Sequence, residues 1–150
     1  NRGAAFVMDQ DSPRALAPGR KPFHTLNPPL ARFDDGRTMV YGCMGGDGQP
    51  QSQAALFSRY AFHGCPLQEA VSAPRWVLGK TWGNYESHDL KIEDRFDPDV
   101  IRALENAGHA VDVVGPWDSL MGHAGAIVRD ARGMLEGASD PRSDGSVAAF

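Results

Sequence analysis

Cysteine is scarce in this chain: Cys43 and Cys65 are the only two in 150 residues. Without a CxxC pair they offer neither a disulfide framework nor a zinc spacing, and both read as buried free thiols. The five histidines, at 24, 63, 88, 109 and 123, share no metal-ligand spacing, so no metal or other cofactor is expected. No apolar run approaches the ~18 residues of a membrane span, and a membrane is not an expected partner. Basic residues are not in excess either. Fifteen Lys and Arg stand against 19 Asp and Glu, a formal net charge of −4, and they are scattered, which argues against nucleic acid. A charged-then-apolar leader is also lacking, and the chain begins at Asn1. It reads as a portion of a longer chain, with periplasmic, secreted and cytoplasmic locations all left open.

What is present in quantity is backbone punctuation, 17 Gly and 11 Pro, set between periodic apolar segments and not clustered as low complexity. Residues 1–21 read as an extended leading segment with a short strand over Ala4–Met8. Asp34-Asp35-Gly36-Arg37 is a turn between apolar runs, so Leu30–Phe33 and Met39–Gly42 are expected to form a hairpin. A glycine loop follows, and Pro50 opens a helix that runs towards Gly64. A short helix spans Pro66–Ser72 and stops before Pro74, while residues 75–88 read as irregular. Asp89–Glu93 is a candidate strand. Asp97-Pro98-Asp99 starts a helix whose face is Val100, Ile101, Leu104 and Ala107, ended by Gly108. Ala110–Val114 is a strand, and Gly125–Arg129 with Met134–Gly137 form a second hairpin. The order implies an α/β (α+β) layered fold rich in antiparallel pairs.

The glycine loop from Gly42 to Pro50 is the leading site candidate. Successive glycines let backbone N–H groups converge, and the helix behind them favours negative charge, so such a nest suits an anion or a developing oxyanion. No Gly-Lys-[Ser/Thr] follows, so it is not a phosphate P-loop, and a tight turn with no ligand is the plain alternative. His24-Thr25 could pair a base with a nucleophile. Adjacent residues on an extended chain point to opposite sides, however, and a hydrogen-bonded structural pair reads better. His123 sits in Gly122-His123-Ala124-Gly125, after Asp118. An Arg–Asp fork in Asp140-Pro141-Arg142-Ser143-Asp144-Gly145 would order the C-terminal segment or recognise a carboxylate, and the ordering role is favoured. Trp76, Trp82 and Trp117 read as packing residues.

Several collinear stretches, spread over almost the whole chain, resemble the gamma-glutamyltransferase (gamma-glutamyltranspeptidase) family. They are Pro22-Phe23-His24-Thr25-Leu26-Asn27-Pro28, Gly42-Cys43-Met44-Gly45-Gly46-Asp47, and Glu69-Ala70-Val71-Ser72-Ala73-Pro74-Arg75-Trp76. Arg95-Phe96-Asp97-Pro98-Asp99, Gly122-His123-Ala124-Gly125-Ala126-Ile127 and Gly137-Ala138-Ser139-Asp140-Pro141-Arg142-Ser143-Asp144-Gly145 continue the series. The resemblance implies part of the four-layer αββα sandwich of N-terminal-nucleophile hydrolases, with residues 1–150 as the C-terminal portion of the small subunit and incomplete as a domain. It implies acyl transfer or hydrolysis of γ-glutamyl compounds, as in glutathione metabolism, by a threonine freed through autocleavage.

Gly45 and Gly46 match the family's oxyanion-hole glycines. His24 and Thr25 stand where a Ser-Ser pair holds the substrate carboxylate. Arg2 replaces a glutamine, and Ala5 falls where an aspartate meets the substrate α-amino group. A methyl cannot make that contact, and losing a charge-assisted hydrogen bond removes about 2–3 kcal/mol, enough to redirect specificity. The expected substrate is therefore a γ-glutamyl or related acyl compound whose free α-amino group is missing or differently placed. The nucleophile is expected upstream of Asn1, so this portion alone should be inactive. Its expected partner is the rest of the precursor, in a heterodimer or oligomer. The rival reading is a non-catalytic binding or structural domain that keeps the fold.

Overall fold

The computed structural model describes residues 3–81 and 87–149. Its larger sheet has four antiparallel strands in the order β1-β2-β6-β7: β1 Leu30–Arg32, β2 Thr38–Met44, β6 His123–Arg129 and β7 Leu135–Ser139. Both expected hairpins are there. β2 is longer than its apolar run suggested, because each of its residues from Thr38 to Met44 pairs with β6, from Arg129 to His123. The chain is thus a mixed α/β fold with a mainly antiparallel sheet, as its residues predict.

Period-two alternation decides the faces of this sheet. Met39, Cys43, Ala124, Ala126, Val128 and Ala138 point into the core beneath α1 (Gln49–Ala61) and α2 (Leu67–Ser72), which add Leu56, Tyr60, Leu67, Ala70 and Val71. The alanines on β6 and β7 are small enough to let the helices lie close. The opposite face carries Leu30, Val40 and Ile127 side by side in register, all exposed. Val147 lies across one end of that row, over Gly137.

A second sheet joins β3 (Trp76–Leu78), β4 (Leu90–Glu93) and β5 (Val111–Val114). β4 and β5 run parallel through the crossover helix α3 (Pro98–Asn106), whose start is capped by the Asp97 carboxylate accepting the Asp99 amide at 2.8 Å. β3 corrects the expectation of an irregular 75–88 segment. Three residues of Trp-Val-Leu show no period of their own, and it is the antiparallel ladder to β4 that makes them a strand.

A second correction falls at the N-terminus. Gly3–Ala5 is a single 3-10 turn closed by the Phe6 amide on the Gly3 carbonyl, and of the proposed strand only a bridge from Val7 to Ala15 exists. Turn hydrogen bonds satisfy the backbone there, leaving no ladder to join. α3 also departs from expectation, since none of its residues is buried: Ile101 and Leu104 are half-buried and Val100 is exposed.

Candidate functional site

The glycine loop leaves the end of β2 and enters α1. Gly45 is extended, Gly46 has φ +53°, and Gly46–Gly48 form one 3-10 turn before Gln49 begins the helix. That positive φ is why glycine stands at position 46: an L side chain there would be strained. The Gly48 amide closes the turn on the Gly45 carbonyl at 3.0 Å, and the Asp47 amide reaches the Thr81 carbonyl at 3.3 Å. The amides of Gly45 and Gly46 have no acceptor among the described residues. Among the described residues, two adjacent donors are thus without an acceptor one turn ahead of a 13-residue helix, an arrangement chemically suited to an anion.

The loop is clasped from both sides. On one side Gly48 touches the side chains of Val77 and Thr81; on the other, Gly45 lies against Gly122 and Cys43. Cys43 is a free, buried thiol, and burial pushes its pKa up, so it sits there as a protonated packing group. Cys65 is also free but only half-buried. Two polar atoms near the loop, Thr81 Oγ1 and His123 Nε2, are buried with no hydrogen-bond partner among the described residues.

α1 also gathers the Pro22–Pro28 stretch to the loop. Gln49 Nε2 donates to the Thr25 carbonyl at 3.2 Å, and Gln53 Nε2 donates to the Asn27 carbonyl and side-chain oxygen at 3.3 and 2.5 Å. Thr25 is thereby tied to the first residue of α1 and is half-buried, while His24 is exposed. Arg2 lies outside the described residues. Ala5, Phe6, Pro13, Arg14, Lys21 and Phe23 line a cleft of about 400 Å³ whose described lining carries two cations and no acidic side chain. Of the tryptophans, Trp76 and Trp117 are partly exposed and Trp82 lies outside the described residues. No group of three or more His, Cys, Asp or Glu among the described residues is arranged to hold a metal ion.

Behind the loop is a buried ionic cluster that joins distant parts of the chain. Arg142 forks onto Glu93 through Nε and Nη2 at 2.7 and 2.6 Å and pairs with Asp140 at 3.1 Å. Arg75 pairs with Asp140 at 2.6 Å, and its own amide donates to Glu93 at 3.0 Å. Burial alone would raise the Asp140 pKa; Arg75 and the amides of Ala124 and Arg142 outweigh it and hold the carboxyl below its ordinary value. The same burial lowers the Arg75 pKa, an effect Asp140 opposes. Arg95 is the second cation on Glu93, at 3.3 Å, and stacks on Trp117, a residue at φ +59°. The fork at Asp140 and Arg142 was legible in the sequence. Its partners Arg75 and Glu93 were not, because nothing in a linear string marks a charge that will be buried.

Residues 1–150 match the family described as gamma-glutamyltranspeptidase, and the chain belongs to that family. It is 60% identical over 150 residues to the oxamate amidohydrolase proenzyme of Klebsiella pneumoniae, covering all of this chain and 28% of that protein. It is 44% identical over 147 residues to a glutathione hydrolase-like proenzyme of Bacillus subtilis, covering 98% of this chain and 28% of that one. The cephalosporin acylase of Bacillus halodurans superposes with a TM-score of 0.78 at 31% identity, over 99% of this chain and 27% of the acylase. The chain thus spans little more than a quarter of the length of these relatives and corresponds to the C-terminal part of a proenzyme.

Proposed function

We propose that this chain supplies the oxyanion hole and part of the acyl pocket of an N-terminal-nucleophile amidohydrolase whose nucleophilic threonine is carried by the preceding part of the precursor. Gly45 and Gly46 donate their amides to the carbonyl oxygen as it gains charge. His24, Thr25 and Arg2 contact the acyl group, and the substrate is a small acid amide of the oxamate type with no α-amino group. The observation that carries this reading is the pair of adjacent glycine amides, one turn ahead of α1, that have no acceptor among the described residues. Ala5 in place of a carboxylate, and the cations Arg14 and Lys21 in the same cleft, support an anionic substrate lacking an amine. So does the 60% identity to a protein named for oxamate.

The reaction proceeds in two steps. The threonine oxygen attacks the amide carbon and ammonia leaves, giving an ester; water then cleaves the ester, releasing oxalate and restoring the hydroxyl. The exposed apolar row Leu30–Val40–Ile127 is the natural seat of a second sheet from the rest of the precursor, completing an αββα sandwich.

The test is kinetic, on the full-length processed protein. Ammonia release from oxamate should exceed turnover of a γ-glutamyl anilide by at least about 100-fold, the reverse order overturning the substrate assignment. Replacing the Gly46 peptide N–H by an ester oxygen, which deletes one donor and leaves the φ of +53° accessible, should lower kcat by about 100-fold or more. The isolated 150-residue chain should show no burst of product.

A further inference from the structure

We propose that Gly122, gripped by the buried Arg75–Asp140 pair, is the positioning residue that sets the height and tilt of the Gly45–Gly46 loop; this rests on the oxyanion reading of that loop. Gly122 has φ +77°, and a Cβ on it would collide with the Met44 carbonyl oxygen and lie 2.7 Å from Cys43 Sγ. From the other side, a Cβ on Gly45 would stand 3.4 Å from the Gly122 Cα. Two glycine backbones therefore lie against one another with no side chain between them. The loop that offers its amides rests on the backbone of Gly122, so a shift of Gly122 is passed directly to the donors.

What fixes Gly122 is the ionic pair behind it. Arg75 Nη1 donates to the carbonyls of Met121 at 3.3 Å and Gly122 at 2.9 Å. Arg75 Nη2 donates to the Val71 carbonyl at 2.9 Å and pairs with Asp140 Oδ2 at 2.6 Å. That same carboxylate oxygen accepts the Ala124 amide at 2.6 Å. The pair thus holds the chain immediately before and after His123, two carbonyls by the cation and one amide by the anion. Arg75 and Asp140 are each 1% exposed, so these contacts act without solvent screening and in a single geometry. A planar fork is needed, since a lysine ammonium cannot serve both carbonyls, the Val71 oxygen and Asp140 at once.

The experiment compares oxamate with its thiocarbonyl analogue, thiooxamate, on the full-length enzyme, with rates normalised to folded and processed protein. Backbone oxyanion donors favour oxygen over sulfur, so weakening their alignment lowers the oxo/thio ratio, whereas a loss of folded enzyme lowers both rates alike. Gly122→Ala should reduce kcat on oxamate by about 10- to 100-fold, leave KM within about 3-fold, and compress the oxo/thio ratio. Asp140→Asn keeps the shape of the side chain and carries the same comparison should the alanine variant fail to fold, with Arg75→Lys falling between. An unchanged ratio in folded Gly122→Ala or Asp140→Asn protein overturns the inference. If the amide-to-ester replacement at Gly46 also leaves kcat and the ratio intact, the oxyanion reading itself fails. If that replacement removes activity while the ratio survives in the other variants, only the positioning role is lost.

Discussion

The same two residue types at the same spacing do different work in the hairpin turns and at the C-terminal turn. Asp35-Gly36-Arg37 and Asp130-Ala131-Arg132 close the two hairpins; Asp140-Pro141-Arg142 follows β7. In all three the aspartate accepts the arginine's own amide, at 3.0, 2.9 and 3.0 Å, and pairs with its guanidinium. The local chemistry is identical. What differs is solvent, since Arg132 is 86% exposed and Asp130 half-buried, while the side chains of Asp140 and Arg142 are 0% exposed. In water the pair is screened and largely replaceable; out of water each charge needs its partner, and that need ties Glu93 and Arg75 into the same cluster.

The Asp35 turn stands between these extremes. Arg37 lies over the rings of Phe33 and Tyr60, at 4.7 and 5.2 Å from their centroids, and bonds the Tyr60 hydroxyl at 2.6 Å, so it anchors an exposed turn to the core.

Removing one buried charge should have the largest effect. Asp140→Ala leaves Arg75 without its counterion, and denaturant unfolding of the full-length protein should show a loss of about 3–5 kcal/mol; a loss no larger than that of Asp130→Ala would erase the contrast. The acid side sharpens it further. The Asp140 pKa is lowered in the folded state, so its stabilising contribution is complete above the unfolded value of about 3.9 and is lost as pH falls through the folded value. The stability gap between the parent protein and Asp140→Asn should therefore hold from pH 7 to about 5 and shrink below about pH 4, as read from urea midpoints.

Asp97→Ala tests the same carboxylate-to-amide contact without a cation, and loss of this helix cap should cost about 1 kcal/mol. Arg37→Ala should lower the unfolding temperature measurably, through lost ring contacts more than lost charge. Smallest of all, Asp130→Ala should leave the unfolding temperature within about 2 °C of the parent's.

Much of the fold was legible because it is local. Asp-Gly turn chemistry located one hairpin, Asp97-Pro98 started α3, and Pro50 lay one residue inside the observed start of α1. β3 was not legible, since three residues become a strand only when a neighbour supplies the ladder. Of the candidate site, the Gly45–Gly46 loop announced itself through its glycines. Gly122 did not, because its contact is with a backbone almost 80 residues earlier in the chain. Gln49 and Gln53 likewise gave no sign that they would hold Thr25 and Asn27.

By itself, the sequence determined most of the elements and the hairpin pairing, which rest on residue types within a few positions of one another, and the family, which rests on the order of short stretches along the chain. It also marked the Asp140–Arg142 fork, without showing that the fork would be buried. Only the tertiary structure decided which of the three Asp-x-Arg turns lost its water. Desolvation depends on what distant segments pack over a charge: here Arg75, just before β3, and Glu93, on β4, are brought to the Asp140–Arg142 turn, behind the Gly45–Gly46 loop.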